Sequence, residues 1–207
     1  MTRFVAIHGT WGWPDDPTSE WWYPGSPWLA YMGDHDCTPA RDEPFVWSGD
    51  VGGTPRSGRD WDAGAHALKY YLRPLPYEQR NVVAHSHGGQ IALLCAQQGV
   101  ALRSLLLIGT PVRRDIEQRV VPAALPHIGV CRHIIDARWD RMGWLGGAFD
   151  GRLSTRRGFR VPGITVELVP HIGHSGILRD PALFHLWDDQ GWIDLLRGAW
   201  SDGPPAA

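Results

Sequence analysis

His85, Ser86 and His87 stand together in this 207-residue chain, followed at once by Gly88 and Gly89. A serine hydroxyl is a weak nucleophile in water. It becomes useful where a turn exposes its Oγ, a base takes its proton, and backbone N–H groups face the developing oxyanion. The residues before it, Val82, Val83 and Ala84, suit a strand buried on both faces. Those after it carry Ile91, Leu94 and Cys95 at helical spacing, with Gly99 as a stop. Strand, sharp turn and helix therefore put Ser86 at the bend. A chain that nearly reverses there brings the positions two before and two after close together, and both are small: Ala84 and Gly88. The helix turns its unpaired N–H groups and the positive end of its dipole, roughly half a charge, toward the serine. The N–H of His87 is placed as an oxyanion donor.

The run AHSHGG resembles the GxSxG nucleophile elbow of the α/β-hydrolase superfamily, with Ala84 replacing the first glycine at the expense of one methyl group. The HGTW run at residues 8–11 resembles the loop that faces the elbow in that superfamily. This resemblance implies the N–H of Thr10 as second oxyanion donor, with His8 and Gly9 shaping the loop; a plain strand-end turn is the ordinary alternative. It also implies an acid and then a histidine after later strands. The last strand leads into VPHIGHSGILRDP, which offers His171 and His174. His174 is preferred because it lies further past the strand end, and GHSGILRDP is similar to the histidine loop of lipases and esterases. For the acid, Asp136 and Asp140 follow CRHIID, and Asp140 is preferred because a residue a few positions into the loop can turn toward the histidine. Asp115 is a more distant candidate, and each of the three has an ordinary reading as a surface or turn carboxylate.

Several elements must position these groups. Phe4 to Ile7 reads as a buried strand, residues 44–49 (PFVWSG) as a second, and 102–111 as another. Residues 131–136 and 164–169 read as the last two. From Asp60, a plausible N-cap, Trp61, Ala65, Leu68 and Leu72 recur at helical spacing until Pro74 and Pro76. Asp180 and Pro181 open a C-terminal helical region that Gly191 can divide. Strands alternating with helices predict an α/β chain with a mostly parallel central sheet flanked by helices and right-handed crossovers. Residues 111–129 are too few, and too interrupted by Pro122 and Pro126, for a large cap domain. Residues 11–43, rich in Pro, Gly, Asp and Trp without a clear period, read as a long ordered loop. Five of the 12 tryptophans, Trp11, Trp13, Trp21, Trp22 and Trp28, fall there. The segment could wall a pocket, while Trp21, Trp22 and Trp28 more simply cover the sheet edge.

Length and composition suit a single domain over residues 1–200 with a disordered tail at 201–207. A formal charge of −2, with no run of Lys or Arg longer than two, argues against nucleic acid or an anionic membrane as partner. Cys37, Cys95 and Cys131 are odd in number and lie in no zinc-like spacing, so neither a disulfide framework nor a Cys metal site is expected. Two of them read as core residues. No phosphate-cradling glycine motif is present. His85 and His87 read as locally packed, and His85, His87, His171 and His174 match no known metal motif, so no metal or other cofactor is expected. No charged and apolar signal segment and no 18-residue apolar stretch occurs, which points to a soluble, cytoplasmic protein.

The resemblance spans about residues 3 to 197. It implies a lipase- or esterase-like serine hydrolase: His174 takes the Ser86 proton, Asp140 holds the imidazole, and Thr10 and His87 N–H groups stabilise the oxyanion. Trp11, Trp13, Trp139, Met142 and Trp144 fall in loops that should border the site, so a small-molecule or lipid-like carboxylic ester with an apolar group is the expected substrate. Amidases and thioesterases use the same relay, and a non-catalytic binding protein can keep the same fold.

Overall fold

Six strands lie side by side, all parallel, in a computed structural model that describes residues 1–9, 20–47, 58–137 and 158–199, of which 58–60 by backbone alone. They are β1 (Thr2–Ile7), β2 (Cys37–Pro39), β3 (Asn81–His85), β4 (Leu102–Ile108), β5 (Ile128–Asp136) and β6 (Ile164–Val169), in the spatial order β2-β1-β3-β4-β5-β6. Parallel neighbours cannot be joined by hairpins, so the connections carry helices. These are α1 (Pro27–Asp34) before β2, α2 (Gly58–Leu72) before β3, α3 (Gly88–Gln97) between β3 and β4, and α4 (Val121–Ala124) before β5. Three short helices follow β6: α5 (Gly176–Arg179), α6 (Leu186–Asp189) and α7 (Trp192–Arg197). Gly191, at φ 71°, separates the last two.

Strand alternation sorts the core into two layers. Val82 and Ala84 of β3, with Leu105 and Leu107 of β4, face α2 and α3 through Leu68, Leu72, Ile91 and Ala92. Val83, Leu106 and Ile108 face the other way, toward Trp28 and Met32 of α1 and Trp187, Trp192 and Ile193 of the C-terminal helices. Both faces of the central strands are thus covered, which is why β3 and β4 read as largely apolar runs. Between β4 and β5 the chain makes only short helical turns, with no inserted domain.

Several expectations need correction. Within the stretch expected to be loop, residues 27–34 form α1 and 37–39 form β2. Pro27 opens a helix, the Ser26 hydroxyl accepts the Leu29 N–H at 3.2 Å, and Trp28, Leu29 and Met32 bury one face. Eight residues are too few for a helical period to stand out among prolines and glycines. The edge strand is β2, paired from Thr2↔Cys37 to Phe4↔Pro39, and residues 44–47 join no ladder. Phe45 and Trp47 are buried while Val46 is 38% exposed, so the alternation that mimics a strand comes from an extended loop packed on the helical layer. The helix expected from Asp60 begins at Gly58, putting Asp60 inside its first turn. Trp21, Trp22 and Trp28 do not cap a sheet edge but are buried in the core layer with Phe4 and Val83. All three cysteines, not two, are buried, and all are free. Among the described residues no helix is long and apolar enough to cross a membrane.

Candidate active site

The strand order reverses between β1 and β3, because β1 is followed outward by β2 on one side and flanked by β3 on the other. In open parallel sheets the crevice outside the carboxyl ends of the strands at such a point is where ligands bind. Register carries Ile7 beside Ala84, His85 beside Ile108, and Asp136 beside Val169, so the residues that follow these strands share one edge of the sheet.

Ser86 occupies this edge with φ 51°, a left-handed conformation that costs a non-glycine residue about 1–3 kcal/mol. It is held there by its own N–H, which donates to the Ile108 carbonyl at 2.8 Å, and by its carbonyl, which accepts from Gly89 at 3.0 Å. Its neighbours are glycines for a steric reason. A Cβ on Gly88 would stand 2.5 Å from the His8 carbonyl oxygen, and one on Gly9 would stand 2.8 Å from the Ser86 Cβ. A Cβ on Gly89 would run into the Thr110 hydroxyl at 2.1 Å. Ala84 is fully buried and paired with Ile7 and Leu107, so its methyl fits where the elbow pattern has glycine. Directly after Ser86 and His87, α3 begins, aiming its positive end at the serine.

The loop after β1 is clamped by aromatic rings. His8 is stacked between Trp22, at 4.7 Å, and Trp47, at 5.5 Å. The Trp47 Nε1–H donates to the His8 carbonyl at 2.9 Å, and His8 Nδ1 lies 2.8 Å from the Gly9 carbonyl. Burial depresses the His8 pKa, so the ring is neutral and its Nδ1 is the donor in that contact. On the other side of Ser86, the His87 ring meets Trp61 at 5.1 Å, and the Arg113 guanidinium covers Trp61 at 4.8 Å while pairing with Asp115 at 2.8 Å. That pairing holds the Asp115 carboxyl below its usual range. Asp115 is therefore engaged on the α2 side of the site.

The loop after β6 brings His174 to the elbow. Its imidazole packs at 4.7 Å on the ring of His85, the residue before Ser86. Gly109, at φ 56°, gives it room: a Cβ there would lie 2.9 Å from the His174 carbonyl oxygen and 3.1 Å from its Nδ1. His171, at φ 64°, is exposed. From the end of β5, Asp136 Oδ2 accepts the Gly173 N–H at 2.6 Å, one residue before His174. Asp140, Thr10, Trp11, Trp13, Trp139, Met142 and Trp144 lie outside the described residues. Among the described residues no three His, Cys, Asp or Glu side chains converge as metal ligands.

Two contributors carry weak signals in the sequence. His85 reads as a local packing residue, although its alternation with Ala84 sends it to the opposite face. Gly109 is one glycine at a strand end, and only the arrival of a loop 65 residues later shows what it makes room for.

No protein-family model and no curated protein sequence matches the chain. Solved structures do. A predicted CIB-like hydrolase from Thermoplasma acidophilum is similar at TM-score 0.57 and 12% identity, over 95% of this chain and 86% of that one. A probable hydrolytic enzyme from Pseudomonas aeruginosa gives 0.55 and 13%, over 92% and 85%. A dienelactone hydrolase-like promiscuous phosphotriesterase from metagenomic libraries gives 0.51 and 14%, over 96% and 86%. Together with the six parallel strands, the helices on both faces and the strand order, these likenesses show that the chain has the α/β-hydrolase fold.

Proposed function

We propose that the chain is a serine hydrolase acting on carboxylic esters. The observation that carries this reading is Ser86 itself, a buried-edge serine in the left-handed conformation at a strand-to-helix turn, packed so closely that Gly9 and Gly88 admit no side chain. Strain of this kind persists only where the surroundings impose it, and it is the conformation by which a nucleophile elbow presents its serine.

In this reading the His174 imidazole takes the Ser86 proton as Oγ bonds to the acyl carbon. The negative charge that collects on the carbonyl oxygen is met by the N–H groups of His87 and Thr10. Collapse breaks the ester C–O bond, and the alcohol leaves with the proton from His174. Water then repeats the steps, giving the acid and restoring Ser86. The carboxylate comes from the segment that begins at the end of β5. The resemblance favours Asp140; Asp136 is favoured by its 2.6 Å bond to the loop that carries His174, and we assign the role to Asp136. We assign Trp11, Trp13, Trp139, Met142 and Trp144 to recognition of the acyl or alcohol group, whose apolar character they match.

The test is hydrolysis of p-nitrophenyl acetate and butyrate by wild type, Ser86→Ala and His174→Ala. Turnover in the wild type that falls on the order of 10⁴-fold in each variant supports the reading. Turnover that survives Ser86→Ala contradicts it. Amide or thioester analogues cleaved faster than the esters would keep the relay and reassign the substrate.

A further inference from the structure

His85 ends β3 with its side chain on the face opposite Ala84, where the loop after β6 arrives. Its Nε2 lies 3.1 Å from the His174 carbonyl oxygen. A carbonyl can only accept, so the His85 proton sits on Nε2 and the bond runs from this ring to the main chain of His174. The two rings meet edge to face, 61° apart, so the same side chain touches both the backbone and the imidazole of His174. Trp21 backs His85 from behind at 6.2 Å and 82°, and Gly9 leaves it space, since a Cβ there would come within 3.2 Å of His85 Nδ1. Burial and the neighbouring His174 keep His85 neutral, with its pKa well below the ordinary value.

The loop needs such an anchor. His171 and Gly173 both have positive φ, and regular structure resumes only at Gly176. Asp136 fixes Gly173 from the β5 side, and Gly109 closes on His174 from the β4 side. Neither supplies a hydrogen bond to His174's own carbonyl, which His85 does.

We infer that His85 is a positioning residue: its Nε2–H fixes the His174 backbone and its ring sets the imidazole's face, so that the base is in place before substrate binds. This rests on the serine-hydrolase reading above. A neutral ring suits the position because His174 carries a positive charge each time it takes a proton, and a cationic neighbour would oppose that step. His85 acts through His174 and transfers no proton itself.

The experiment compares His85→Phe, which keeps a flat ring and removes the donor, with His85→Gln, whose amide can restore one. Two readouts are taken: amide hydrogen exchange of the peptide spanning residues 170–180, which needs no turnover, and kcat and KM on an aryl ester. His85→Phe is expected to speed exchange in that peptide about tenfold, leave exchange in β3 and β4 unchanged, and lower kcat about tenfold or more with KM within about twofold. His85→Gln should recover most of both. Wild-type exchange and kcat in a folded His85→Phe protein would overturn the proposal, as would a loss that His85→Gln fails to recover. A wild-type protein with no Ser86-dependent turnover overturns the underlying reading and the proposal's catalytic meaning with it. The exchange result then shows separately whether the contact orders the loop.

Discussion

Ser86 holds an unfavourable backbone conformation because its neighbours leave it no other, and the groups around it divide the work by atom. Trp47 is one of them. Its indole N–H satisfies the His8 carbonyl, which Gly88 approaches from the other side. Trp47→Phe keeps the ring stack but leaves that buried acceptor unpaired, so it should lower stability by about 1–2 kcal/mol in urea unfolding and reduce kcat more than it raises KM. The acid is tested by Asp136→Asn and Asp140→Asn side by side. kcat should drop on the order of 10³- to 10⁴-fold in the first and less than about tenfold in the second; the opposite ranking moves the role to Asp140. The turn at Ser86 is legible in the sequence because the elbow's demands are local: small residues two positions away on either side and an apolar strand before it. The choice between Asp136 and Asp140 is not, because what recommends Asp136 is a bond to Gly173, 37 positions on. Which loop carboxylate reaches that far depends on register between β5 and β6.

At the scale of elements, the turn between β3 and α3 is where packing is least forgiving. Gly88→Ala would force a Cβ to 2.5 Å from a backbone oxygen that has no rotamer to escape through. We expect a loss of about 3 kcal/mol or more and no detectable turnover, read by urea unfolding and ester hydrolysis. Gly33 in α1 makes the contrast. A Cβ there meets nothing within 4 Å, so Gly33→Ala should stabilise the protein by about 0.5–1 kcal/mol without changing kcat. Strands β3 and β4, buried on both faces, can be read from the sequence with small shifts at their ends, and so can β1, β5 and the partly exposed edge strand β6. Element α1 and strand β2 cannot, since two turns of helix and three residues of edge strand leave no period to detect. The run around Phe45 and Trp47 shows the converse failure: alternating burial without a ladder. Its tryptophan is turned inward by His8, a contact across 39 positions.

For the molecule as a whole, the fold class follows from strand and helix alternation, and the likeness to solved hydrolases agrees with it. A consequence of the packed interior is acid sensitivity. His133, on β5, is fully buried, and burial pushes its pKa from 6.5 down to about 4. His85 and His8 shift in the same direction for the same reason. Below pH 6.5 the unfolded chain takes up protons at these positions while the folded chain does not, so stability falls as the pH drops toward 4. His133 alone should account for about 2–3 kcal/mol of loss by pH 4.5. Urea midpoints at pH 7.5 and 4.5 test this, and His133→Gln should shrink the difference between them. Whether Ser86 is an activated nucleophile is read from intact mass after incubation with a fluorophosphonate probe. One probe per chain is expected in the wild type and none in Ser86→Ala. A folded wild-type protein that gains no mass, or a Ser86→Ala protein that gains the same mass, would contradict that role.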